Sequence, residues 1–298
     1  MKKGGGIMRS SKGERLFYAC NYVLLTMAAL TCLLPLMNIA SMSLSDSHAV
    51  MSGSVVFWPV AATLKSYEIL FAGSSIIRSF VNSVTITVVG VLLSMVFTIL
   101  AAYPLSKKAF YGRKPFTLAI VFTMLFTGGL IPGYLVIKSL GLINTYGAIW
   151  LPGLVSAYNM LIMKSYFENM PEELEEAARI DGCSEMKYIW RILLPLSLPM
   201  IATIALFYGV SFWNAFMSVL IYINDTQKYN LTVLVQNMIR SQSLMQAMNN
   251  MQPDDVAQVA PDGVKSAGIM VMIIPLLLVY PFLQKYFVKG AMIGAIKG

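Results

Sequence analysis

The side chains that carry acid–base, nucleophilic or metal chemistry are sparse in this sequence and unevenly placed. One histidine, His48, and three cysteines, Cys20, Cys32 and Cys183, are scattered over 298 residues. That set excludes a His-based metal site and argues against a disulfide scaffold. No G-x-x-x-x-G-K-[ST] run occurs, so the chain has no P-loop for ATP. Nor do the residues offer a Ser/His/Asp set. The exception to the scatter is "EEAARIDGCSEMKYIWRILLPLS", residues 175–197. It gathers Glu175, Glu176, Arg179, Asp181, Glu185, Lys187 and Arg191 between two long apolar stretches. These residues form no catalytic pattern; their chemistry is that of a charged, helix-forming surface. The expectation is a chain with no catalytic residue, no cofactor of its own and no metal.

The elements that hold this island are apolar. The chain is 57% hydrophobic and 12% charged, against about 25% charged residues in a soluble domain. So little charge cannot coat a water-facing globule of this length, and lipid must solvate most of the surface. About 20 residues of helix cross the hydrocarbon core. Six runs reach that length, at about 17–39, 78–103, 116–138, 145–163, 196–222 and 267–288. They are continuous rather than alternating, which favours helices over a closed barrel. The predicted fold class is an all-α polytopic membrane protein with six transmembrane helices. The first run is longer than the apolar region of a signal peptide and reads as a retained span.

Sixteen of the 22 Lys and Arg residues fall on one side of this arrangement. They lie in the N-terminal arm, in "KKAFYGRK" after the second run, around the acidic island, and in the tail. By the positive-inside rule both termini and the island are cytoplasmic. The formal charge of +8 then needs no nucleic acid as partner. The expected organisation is an arm at 1–16, a membrane domain at 17–288 and a cytoplasmic tail at 289–298. Within the membrane domain, a cytoplasmic loop lies at 165–195 and extracytoplasmic loops lie at 41–76 and 223–266. Of the latter, "LTVLVQNMIRSQ" reads as a surface helix. The adjacent Asp254 and Asp255 read as solvated turn residues rather than a calcium site.

Locally, residues 170–193 read as two short helices. Pro171 suits a first helical position, and acidic groups follow it in the opening turns, where they complement the helix dipole. Gly182 suits the left-handed residue that ends a helix. Ser184 suits a cap for a second helix running to Leu194, with Pro195 interrupting it. Leu174, Ala177, Ala178 and Asp181 recur at helical spacing and define a slim face. A helix lying on lipid would favour basic and bulky apolar residues. This one is acidic and small-faced, which favours docking into a groove of another protein.

The spaced set Glu176-Ala177-Ala178, Gly182, Ile192 and Leu194-Pro195 resembles the EAA loop of ABC-importer permeases, and it stands before the second-to-last span as it does in that family. The Asp181-Gly182 pair is similar to the version found in carbohydrate permeases. "LGLINTYGAIWLP" at 140–152, "FWNAF" at 212–216 and "LQKYFVKGAMIGAIKG" at 283–298 resemble other segments of sugar permeases. "FTGGLIPGYLVIKSLGL" at 126–142 resembles an oligosaccharide branch. The resemblance implies a type I ABC importer permease fold whose EAA helix is a coupling helix. Glu176, Ala177, Ala178, Asp181, Gly182, Ile192, Leu194 and Pro195 would be its ATPase-coupling residues.

The resemblance also implies partners: two ATPase subunits that use ATP and Mg, a second related permease in a heterodimer, and an extracytoplasmic sugar-binding protein. The location it implies is a bacterial cell membrane. The spans hold almost no central ionisable group, which argues against a proton- or ion-coupled carrier. Asn82, Tyr158, Asn159, Tyr208, Trp213 and Asn214 are the candidate groups for a sugar pathway. Each of them could equally serve only to bond neighbouring helices. The function expected is import of a sugar, an oligosaccharide before a monosaccharide, by alternating access. The alternatives are a permease of the same type for an amino acid or ion, and a self-contained secondary carrier.

Overall fold

The structure is a computed structural model that describes residues 12–73, 75–249 and 261–295. The basic residues of the arm before Lys12, the pair Asp254 and Asp255, and Lys297 lie outside the described residues. Among the described residues the regular structure is helical throughout, with no strand. The chain forms two compact units, one of residues 1–72 and 252–270 and the other of residues 73–251 and 271–298.

The first unit is built on a helix from Lys12 to Ser43. Its side chains from Leu16 to Leu34 are almost all apolar and exposed. The hydroxyl of Thr31 is satisfied within the helix by donating to the Met27 carbonyl at 2.8 Å. Toward its end the helix turns polar and holds the loop that follows. Asn38 donates to the Val56 carbonyl and Ser41 to the Phe57 carbonyl, each at 2.7 Å. Two short helices, Ser47–Met51 and Lys65–Gly73, occupy the expected loop at 41–76. The final helix, Pro261–Ala295, starts in this unit. A Cβ on its Gly263 would meet the Ser66 hydroxyl at 2.8 Å, so a larger residue there would force that hydroxyl to turn away.

The second unit is organised by the helix Ile76–Ser106. Ser79, Ser83, Gly90, Ser94 and Thr98 place small side chains on its buried side, the composition that lets helix backbones come close in lipid. Gly90 makes the tightest approach, because a Cβ there would lie 2.8 Å from the Phe212 ring. The polar members of the stripe are bonded across it. Ser83 accepts from the Leu231 amide at 2.8 Å, and the Thr98 and Tyr208 hydroxyls are 2.7 Å apart. The helices Ala157–Glu168 and Leu198–Trp213 pack on this one.

Three of the expected runs are not continuous helices. The run at 116–138 is split into Arg113–Leu125 and Leu130–Ser139, bent by 115°. Gly129 has φ +83° at the break, a backbone open to glycine, and its partner Gly128 leaves the turn unsupported by side chains. The run at 145–163 becomes Gly147–Trp150 and Ala157–Glu168, parted around Pro152 and Gly153. The run at 196–222 breaks after Trp213 and resumes at Met217–Tyr222. The carbonyls freed there are taken up by the following loop: Thr232 donates to Trp213 at 3.0 Å and Asn230 to Ala215 at 2.7 Å. Apolar run length could not register these breaks, since bending leaves composition unchanged. By length and composition, Gly13–Ser43, Ile76–Ser106 and Pro261–Pro281 can each cross a membrane unbroken, and two bent pairs reach that length together.

The helix expected on the surface of the 223–266 loop is Leu231–Asn249. Its beginning is in fact internal, with Leu231, Val233 and Val235 buried. Asn230 caps it by accepting from the Val233 amide at 3.1 Å. The repair of the broken fifth run draws this helix start inward.

Candidate functional site: a docking helix strapped to a basic loop

The acidic island folds into a helix at Glu172–Ile180 with three glutamates in its first turn and Arg179 in its last. Pro171 is one position earlier than expected: it is the cap, with ψ 127°, and not the first helical residue. Proline there holds the entering backbone extended at no cost in lost hydrogen bonds. The helix ends as expected. Gly182 adopts φ +68°, and the Cys183 amide closes back on the Ala178 carbonyl at 2.9 Å. No atom lies within 4 Å of where a Cβ on Gly182 would stand, so the requirement is backbone conformation, not space.

The second half differs from expectation. Ser184 has the extended backbone of a cap, but its side chain makes no capping bond. The helix Glu185–Tyr188 passes into a π turn at Ile189–Leu193 and then into Leu194–Leu196. Pro195 therefore sits within the helical path and does not interrupt it. A proline ring normally clashes with the carbonyl four residues back, and the widened π turn gives that ring room. The break comes at the buried Ser197, where the path bends by 81° into Leu198–Trp213.

The slim face is divided. Ala178 is 5% exposed and belongs to the core, while Glu176, Ala177, Asp181 and Gly182 face outward. The two alanines thus differ in burial: 100° apart on the helix, they straddle the edge of its packed side. The outward side also carries Ile180, 86% exposed, with Met186 and Trp190 exposed on the following turns. These three apolar groups were not singled out from the sequence. Helical spacing from Ala177 to Ile180 was the signal available. Ile192 and Leu194 are half-buried against the unit and Pro195 is exposed.

The inward, acidic side meets the basic loop. Lys107 pairs with Glu175, Arg113 pairs with Glu168, and Lys108 pairs with Glu172 at 2.5 Å. Arg179 reaches Glu175 at 2.9 Å and Glu185 at 3.2 Å, and the Tyr103 hydroxyl donates to Glu185 at 2.9 Å. The Lys107 ammonium also lies 4.6 Å from the Tyr103 ring centre and 5.4 Å from that of Tyr188. The hydrogen bond and charge of Lys108 hold the Glu172 carboxyl below its ordinary range. A cavity of about 620 Å³ opens between the two segments, lined among others by Tyr103, Lys107, Arg113, Glu168, Glu175 and Glu185. In the sequence the basic loop was legible only as a topology signal.

The six pathway candidates differ in burial and in bonding. Asn82 donates to the carbonyls of Gln227 and Tyr229 at 2.8 and 2.9 Å. Tyr208 is buried, with its hydroxyl shared between Thr98 and the Ser156 amide. Trp213 is buried and donates to the Met272 carbonyl at 3.1 Å, with Phe80 edge-on to its ring. Asn159 is buried in the core. Tyr158 and Asn214 are exposed. Among the described residues no group of His, Cys, Asp or Glu is placed to hold a metal ion.

A helical membrane chain with a charged helix ahead of its last two membrane segments fits a transport-permease architecture, and the chain belongs to the family of binding-protein-dependent transport system inner membrane components, whose model matches residues 4–292. Among its relatives is the polygalacturonan/rhamnogalacturonan transport system permease protein YtcP of Bacillus subtilis (strain 168). It is 42% identical over 286 residues, which is 96% of this chain and 99% of YtcP. Protein LplC of the same strain is 41% identical over 293 residues, 98% of each chain. Among solved structures, a chain of a bacterial ABC transporter involved in the import of the acidic polysaccharide alginate matches with a TM-score of 0.84. The identity is 33%, over 93% of this chain and 99% of that one. The chain is a membrane-embedded permease subunit of an ABC importer.

Proposed function

We propose that this chain forms half of the translocation path of an ATP-driven oligosaccharide importer, in a heterodimer with a second permease. Its N- and C-termini are cytoplasmic, two ATPase subunits supply the energy, and an extracytoplasmic binding protein delivers the sugar. The observation that carries this reading is the outward side of the island helix. Ala177, Ile180, Asp181 and Gly182 stand clear of the chain's own packing, whereas Ala178 is buried and Glu175 is held by Lys107 and Arg179. With Met186 and Trp190 also exposed on the following turns, Ile180 beside a narrow alanine fits a surface for another protein. In this reading Glu176 meets charged groups of the ATPase, and ATP-driven closure pushes on the Ala177–Gly182 turn. Tyr158 and Asn214, the accessible members of the polar set, are the residues offered to solute.

Uronate-bearing oligosaccharides are the first substrates to test, because YtcP is named for polygalacturonan and rhamnogalacturonan and the structural relative for alginate. The experiment is to tag the chain in its native host, solubilise the membranes gently and identify what co-purifies in stoichiometric amount. An ATPase and a second permease are expected, with uptake of labelled trigalacturonate lost when the chain is deleted. A chain recovered alone, or only with itself, overturns the importer assembly.

A further inference from the structure

The island is not merely near the end of the Ile76–Ser106 helix; it is bound to it at several points. Lys107, which caps that helix, donates to Glu175 in the middle of the docking helix. Tyr103, one turn earlier, donates to Glu185 beyond the Gly182 turn. The Lys107 ammonium lies over the rings of both Tyr103 and Tyr188, so the two segments share one cation. Beneath these contacts Ala178, Tyr188 and Leu193 are buried in the same core as Ala102, Tyr103 and Leu105. The side chains of Lys107 and Glu175 are 28% and 20% exposed, against 80% and 70% for Lys108 and Glu172. Salt and water screen the outer pair heavily and the inner pair far less.

We infer that Lys107, with Glu175, Tyr103 and Glu185, is a strap that makes the end of the second long helix follow the docking helix. A displacement imposed at Ala177–Gly182 then enters the helix at its Tyr103–Lys107 end. That helix is the one on which Ala157–Glu168 and Leu198–Trp213 pack, so the movement reaches the membrane core without passing first through the 81° bend. Lys107 is a positioning residue in this scheme, because it acts through Glu175 and touches neither solute nor nucleotide. The inference rests on the importer reading above.

The test uses the full complex with its ATPase subunits, with Cys20, Cys32 and Cys183 replaced by Ser. Spin labels are placed at Tyr111→Cys in the basic loop and Met186→Cys beyond the docking helix, both exposed positions. Interspin distances are recorded nucleotide-free and after vanadate trapping of ATP, which needs no identified sugar. With Lys107 intact the distribution is expected to be narrow and the same in both states. In K107E it shifts between states, because the docking helix moves and the basic loop lags. K107M, which removes the charge without repulsion, shifts in the same direction, and K107R restores the invariant distance. K108E, at the screened outer pair, behaves as the parent. The strap is overturned if the parent distance itself changes with nucleotide. It is equally overturned if K107E and K107M keep one distance in both states, or are altered alike in both, as a static support would be. A parent chain that recruits no ATPase removes the importer reading and the strap together.

Discussion

At the scale of single residues, the docking helix depends on one backbone conformation. Gly182 sits at φ +68° in open space. The left-handed region costs an L-residue about 1–2 kcal/mol, and a β-branched side chain is the least tolerant. Gly182→Val is therefore expected to misdirect Glu185–Tyr188 and abolish uptake, while Gly182→Ala impairs it less and both variants insert normally. Labelled-sugar uptake set against the amount of chain in the membrane fraction checks this; normal uptake by the valine variant would remove Gly182 from the coupling role. Ala177 and Ala178 teach the complementary lesson. The motif presents them as one unit, yet one is exposed and the other is buried. The alanine that turns inward, Ala178, joins the core on the side where Glu175 meets Lys107, a residue 68 positions away.

At the scale of elements, close packing in the second unit follows from small residues on Ile76–Ser106. The Phe212 ring lies where a side chain at position 90 would begin. Gly90→Val is expected to overpack this contact by about 1–3 kcal/mol and to separate the helix from Leu198–Trp213. A lowered midpoint in thermal unfolding of the purified complex is the expected reading, with Gly90→Ala intermediate. An unchanged midpoint for valine would mean that the two helices do not need this approach. The two helices were legible as apolar runs of membrane length, but not as a packed pair. Breaks in the runs were less legible, because a bend such as that after Leu125 requires only that Gly128 and Gly129 permit it. Asn82, Tyr208 and Trp213 fit sugar chemistry by residue type, but their polar atoms are occupied by carbonyls, amides and hydroxyls of neighbouring segments.

At the scale of the whole molecule, the distribution of Lys and Arg sets the direction in which the chain is read. The topology proposed above from the positive-inside rule has the 107–114 loop, the acidic helix and both termini on the cytoplasmic side. Tyr111→Cys, 98% exposed in the parent, is expected to react with a membrane-impermeant maleimide only in inside-out vesicles. Asn224→Cys in the opposite loop is expected to react only from outside in intact cells. The reverse pattern would invert the topology and detach the docking helix from any cytoplasmic ATPase. The same cations that carry the positive-inside signal also include Lys107 and Lys108, which pair with the acidic helix, and Arg113, which pairs with Glu168 just before it, so a topological signal and a structural tie use the same side chains.

The sequence by itself determined that the chain lies in a membrane, that its regular structure is helical, and that an acidic helix ends at Gly182. These depend on local quantities: apolar content per run, charge per segment, and the backbone freedom of one residue. Only the tertiary structure decided which runs bend, which alanine faces outward, that Ile180 is left uncovered, and which carboxylates each basic residue holds. Those outcomes depend on residues distant in sequence competing for the same space and the same charge, and neither periodicity nor composition records who the neighbours are.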